Sequence, residues 1–65
     1  MQPHQIRVVT ERDDLAVKIE ALGTFIDNQN PVFKNLDIED QFLLKQQLTI
    51  MVEYHRILDA RINRF

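Results

Sequence analysis

All five arginines of this 65-residue chain stand near its ends: Arg7 and Arg12 in the first fifth, Arg56, Arg61 and Arg64 in the last ten residues. Lys18, Lys34 and Lys45 lie between the two groups. Arginine's planar fork suits bidentate capture of carboxylate or phosphate. Tyr54 and His55 sit just inside the second group, and either ring can stack on a nucleobase. If the chain doubles back on itself, the two groups meet at one end. Packed copies would then form an arginine-lined cleft at their interface. In this reading Arg12 and Arg61, each beside an apolar stripe, hold phosphate, Tyr54 stacks on the base, and His55 lies at the inner edge. The ligand class is a small anion or nucleotide. The competing reading starts from Glu11, Asp13, Asp14, Glu53 and Asp59, which share the same half of the chain. Salt bridges to them would occupy the arginines and leave a protein–protein interaction or structural subunit with no small-molecule ligand.

Other chemistries find no support. The chain has no Ser and no Cys, and Thr10, Thr24 and Thr49 have no base at an evident spacing, so nucleophilic catalysis lacks its parts. Gly23 is the single glycine, which excludes a glycine-rich phosphate loop. His55 and Asp59 are one helical turn apart, and His4 is the one other imidazole. The Glu-x-x-His pairs of di-iron bundles are missing. No enzyme activity, metal or cofactor is therefore expected. The net charge of −2 gives no overall attraction for a nucleic acid polymer or an anionic membrane. No run approaches the roughly 20 apolar residues of a membrane span, and the first residues lack the apolar run of a leader. A soluble, cytoplasmic chain is expected.

The elements that must position these side chains are helices. Asp37 to Phe65 contains no Gly and no Pro and consists mostly of good helix formers. Leu44, Leu48, Met51, Leu58, Ile62 and Phe65 form one stripe, and Leu43, Ile50, Tyr54 and Ile57 form a second beside it. Upstream, Val8, Leu15, Ile19, Leu22 and Ile26 recur at heptad spacing, with Val9, Ala16 and Gly23 alongside, where small residues would admit a neighbouring backbone. Asn30-Pro31 stops this first helix. The chain thus divides into a helix over about 4–28, a connection over about 29–36 in which Phe33 and Leu36 cap the core, and a helix over about 37–64 opened by Asp37 as N-cap. A short connection between long helices predicts an antiparallel hairpin in which Leu15 lies near His55, Arg12 near Leu58 and Val8 near Ile62.

Two stripes on the second helix need two neighbours, and the chain supplies one. With no Cys to staple it, a domain of this size needs either a very good helical core or association with copies of itself. The predicted fold is all-α: a two-helix hairpin, one domain over 1–65, that homo-oligomerises into a helical bundle or ring. Leu43, Ile50, Tyr54 and Ile57, with Val9 and Ala16 opposite, are the expected subunit contact.

Two patterns extend the reading. R-V-V-x-E-R-x-x-L-x-x-K-I-x-x-L-x-x-F-I runs from Arg7 to Ile26, and L-L-K-x-Q-x-x-x-M-x-x-Y-x-x-I-L-x-x-R-I from Leu43 to Ile62. Together they resemble short helical-hairpin proteins of tailed phages and prophages, including relatives in crAss-like phages. The resemblance implies a phage accessory protein working in the host cytoplasm. Small oligomeric phage proteins of this kind counter host antiviral defence, either by sequestering a nucleotide immune signal or by blocking a host defence protein directly.

Overall fold

A computed structural model describes residues 1–27 and 29–65. Helix α1 spans Pro3–Phe25, a single helical turn α2 spans Pro31–Lys34, and α3 spans Ile38–Ile62. No strand occurs among the described residues. The two long helices pack against each other as an antiparallel hairpin of 46 × 15 × 14 Å.

Local signals explain the boundaries. Pro3 occupies the first position of α1, where its missing N–H costs nothing, and the Gln5 Oε1 atom accepts a hydrogen bond from the Gln2 backbone N–H at 2.8 Å. The helix therefore starts at the proline itself, with Pro3 ordered as its first residue. It stops at Phe25 with Ile26 as C-cap, earlier than Asn30-Pro31 suggests. The expected end at Asn28 lies outside the described residues. The connection is also not irregular throughout. Asn30 Oδ1 accepts from the N–H groups of Val32 and Phe33 at 2.9 and 3.2 Å, and Pro31 takes the first position of α2. Asn-Pro acts here as a helix start. Gln41 then ties this turn to α3, its amide donating to the Lys34 and Leu36 carbonyls at 3.2 and 2.9 Å. Asp37 caps α3 by accepting from Glu39 N–H at 2.9 Å, and Glu39 and Asp40 in the first turn suit the positive end of the helix. Asn63 is the C-cap of α3, so Phe65, counted in the first stripe, lies past the helix and is 48 % exposed.

The core is small. Val8, Leu15 and Leu58 are buried together, with Ile19, Met51 and Ile62 packed against them. Phe33 closes the loop end: it is 1 % exposed and meets Phe25 edge to face, ring centroids 5.9 Å apart at 80°, with the Lys45 ammonium 5.8 Å from its centroid. The second stripe is left open. Leu43 is 58 %, Ile50 68 %, Tyr54 41 % and Ile57 46 % exposed. Nothing lies within 4 Å of a Cβ built on Gly23, so the single chain makes no close backbone approach there. Gly23→Ala should therefore stabilise the isolated hairpin by about 0.5–1 kcal/mol, the usual gain for removing glycine from a helix interior. A urea midpoint that falls instead would mean that a neighbouring copy fills this space.

Candidate functional site

The two long helices offer two edges, because residues three or four apart share a face. Along one edge of the hairpin, Arg7, Thr10, Glu11, Asp14, Leu15 and Lys18 of α1 face Tyr54 of α3 across an open groove of about 410 Å³. Along the other, Ala16, Ile19 and Glu20 face Val52 and His55 across a depression of about 230 Å³. A third depression, of about 440 Å³, lies at the start of α3 between Ile38, Glu39, Phe42 and Leu43.

Arg12 belongs to the His55 edge. Its Nη1 donates to Asp59 Oδ1 at 3.1 Å and its Nε to Asp13 Oδ1 at 3.0 Å. These bonds, that to Asp59 first, raise the guanidinium above its already high ordinary pKa. His55 Nδ1 stands 3.4 Å from the other Asp59 oxygen. Arg12 thus occupies a seam position of α1 by reaching across to the neighbouring helix, one residue beyond the Leu58 register expected for it. It has acidic partners on both sides, which is the salt-bridge arrangement anticipated as the competing reading. Among the described residues no ion pair involves Arg7, Arg61 or Arg64.

The proposed phosphate-binding group is therefore divided. Tyr54 and, seven residues on, Arg61 lie on one edge; Arg12 and His55 lie on the other. The expected subunit contact is divided in the same way. Ala16, and Val9 seven residues before it, share the His55 edge, whereas Leu43, Ile50, Tyr54 and Ile57 run along the Tyr54 edge. The two sets can meet only between unlike edges of two copies, the Tyr54 edge of one against the Ala16 edge of the next. The residues that the structure brings to Tyr54 are instead Arg7 and Lys18. They were legible: Arg7, Glu11, Asp14 and Lys18 follow at steps of four, three and four, one charged stripe of α1. Glu11 and Asp14 make this groove mixed in charge and not simply cationic.

Arg56 lies away from both edges and is bonded within its own helix, to Glu53 Oε1 at 2.7 Å from Nε and 2.6 Å from Nη2. Among the described residues, no three of His, Asp and Glu converge as a metal site would require, and no helix is long and apolar enough to cross a membrane.

The family model described as Sequestin matches residues 2–64, nearly the whole chain. No curated protein and no solved structure matches it.

The Glu53–Arg56 pair supplies a pH test of this surface. Its hydrogen bonds hold the Glu53 carboxyl below the usual range. A carboxylate held low in the folded state stabilises the fold above its unfolded pKa, and that contribution fades as acidification passes the depressed folded value. A carbon-detected NMR titration should place the Glu53 midpoint below the ordinary glutamate value of about 4.3, and Arg56→Gln should return it upward. An identical midpoint in both proteins would show the pair to be absent in solution.

Proposed function

The chain belongs to the Sequestin family, and we propose that it is a phage- or prophage-encoded binding protein that counters host antiviral defence by sequestering a nucleotide immune signal between its own copies. The family name denotes sequestration, and sequestration asks for binding without turnover. That suits a chain with no Ser, no Cys and a single Gly. The observation that carries the reading is the exposed Tyr54 beside Arg7 and Lys18, with the exposed Arg61 two turns further along the same edge of α3. Tyr54 offers a ring face for a base, worth on the order of 1–3 kcal/mol per stacked base. Arg61 and Arg7 offer guanidinium forks that no acidic side chain occupies among the described residues. Arg12, bonded to Asp59 and Asp13, holds the two helices in register instead of taking phosphate.

The copies are part of this proposal. Pockets that bind small ligands usually bury most of the ligand surface, whereas the groove beside Tyr54 is bounded by two helices only. A second hairpin would close it. The Arg12 pairing gives the protein–protein alternative its own support: if Arg7 and Arg61 are likewise paired across an interface, the chain captures a host defence protein and no small ligand.

Isothermal calorimetry against a panel of cyclic di- and trinucleotides tests the ligand. Binding to at least one is expected, weakened about tenfold or more by Tyr54→Ala and by Arg61→Ala, the loss of a stacking or charge-assisted contact of roughly 1.4 kcal/mol. Arg12→Gln should lower the melting temperature and leave the affinity of the folded protein little changed. An absence of heat with every nucleotide, from an intact assembly, would overturn the ligand reading. Association is tested separately. Ile50→Asp or Ile57→Asp, each placing a charge in the open stripe, should give monomeric or unfolded protein by light scattering; an unchanged oligomer would remove this stripe from the contact.

A further inference from the structure

Helix α3 carries a second seam. Leu43, Gln47, Ile50, Tyr54, Ile57 and Arg61 follow one another in alternating steps of four and three, the spacing at which side chains line one edge of a helix and mesh with another helix. All six are exposed. The two sets of alternate positions differ in kind: Leu43, Ile50 and Ile57 are aliphatic, while Gln47, Tyr54 and Arg61 are long side chains with polar tips. This division selects a direction of pairing. A parallel, in-register copy would stack each residue on itself, setting Arg61 on Arg61 and Gln47 on Gln47. An antiparallel copy sets Arg61 against Leu43, Gln47 against Ile57, and Tyr54 against Ile50. Every layer then joins an aliphatic group to an apolar stem whose tip can reach water.

The ends of the helix agree. Glu39 and Asp40 lie in the first turn of α3 and Arg61 in the last, with Arg64 just beyond. Antiparallel packing brings each acidic end to the other copy's basic end and opposes the helix dipoles. Parallel packing would bring acid to acid and base to base.

We propose that a second copy of this chain docks on this seam, α3 against α3 and antiparallel, about a two-fold axis between Ile50 and Tyr54, with Glu39 of each copy beside Arg64 of the other. Such a contact is self-complementary, as a two-fold interface must be. The second copy's α3 supplies the wall that the groove lacks: one face of the Tyr54 ring packs on Ile50 of the second copy and the other stays on the groove with Arg7 and Lys18, so the site is complete only in the pair. The inference rests on the part of the functional reading in which copies associate, and it is independent of the ligand.

The chain's lack of cysteine makes engineered disulfides unambiguous. In the Gln47→Cys/Ile57→Cys double variant the two positions are ten residues apart on one helix, about 15 Å, too far to join within a chain. Mild oxidation should convert this variant to a covalent dimer closed by two bonds, and leave each single variant uncrosslinked on a non-reducing gel. Self-crosslinking of a single variant as fast as the double would show a parallel seam and overturn the proposal, as would a double variant, helical by circular dichroism, that forms no dimer. Charge exchange gives a second measurement without cysteine. Glu39→Arg should weaken self-association about tenfold in sedimentation, and Arg64→Glu in the same chain should restore it; failure of the restoration would overturn the register. A crosslinked dimer that gives no heat with nucleotides would defeat the ligand reading and leave the dimer standing.

Discussion

A hairpin of two helices has one internal seam, and here that seam closes around Leu58, which is fully buried against Val8 and Leu15. Every other feature follows from how little that seam can hide. Burying a leucine side chain contributes roughly 1.5–3 kcal/mol, and the chain has four buried apolar residues among those described, Val8, Leu15, Phe33 and Leu58, of which Phe33 and Leu58 are fully buried. The loop end compensates locally. Phe33 is inserted by a helical turn that Asn30 caps and Gln41 anchors, so its ring seals the open end of the pair. Nothing equivalent closes the long edges. They are left with aliphatic residues on one side and a His–Asp–Arg cluster on the other.

That cluster shows how charge and register are linked. Arg12 interrupts an otherwise apolar heptad, and an unpaired guanidinium at such a place would be costly. The side chain escapes the cost by lying across the seam onto Asp59, with Asp13 on its own helix as second partner. Because Asp59 also faces His55, one carboxylate serves two basic groups. The pair joins the two helices beside the Val8–Leu15–Leu58 core, at the arginine-rich end far from the loop. An arginine used in this way is a structural part. The cations on the opposite edge, Arg7 and Arg61, are exposed, and the proposed ligand-facing role falls to them.

Much of this was legible before any coordinates. Heptad spacing in the first half identified Val8, Leu15 and Ile19 as the seam, and the steps of three and four in the second half separated the covered stripe from the open one. The termination signals were harder, because Asn30-Pro31 serves equally to end one helix and to start the next. Only the structure shows that the Asn30 N–H bonds to the Asp27 carbonyl, past the end of α1, while its side chain caps α2. Within one hairpin Arg12 does not meet Tyr54 and Arg61, for a geometric reason. Both arginines lie beside a stripe, but on opposite sides of it. In an antiparallel pair, residues that follow the seam by about 100° on either helix fall on the same face of the hairpin. By that count Asp59, next after Leu58, sits with Ala16, next after Leu15, whereas Tyr54 and Arg61 fall on the other face. The stripes give the faces; the sense of rotation is needed to say which faces meet.

For the proposed sequestration, the open edge decides how a protein this small would enclose a ligand. A groove between two helices can touch a nucleotide on one side, and water remains in contact with the rest. Charge-assisted contacts weaken in that setting, because they are screened and compete with hydration. Enclosure by a second hairpin removes the water and strengthens each contact, as burial does for polar groups elsewhere. Building the enclosure from identical copies requires only that the exposed seam be self-complementary. The alternation of aliphatic and long polar-tipped residues on α3, with acids at one end and arginines at the other, meets that requirement. In the proposed assembly, the second stripe that the hairpin cannot bury is the surface from which paired copies build the binding site.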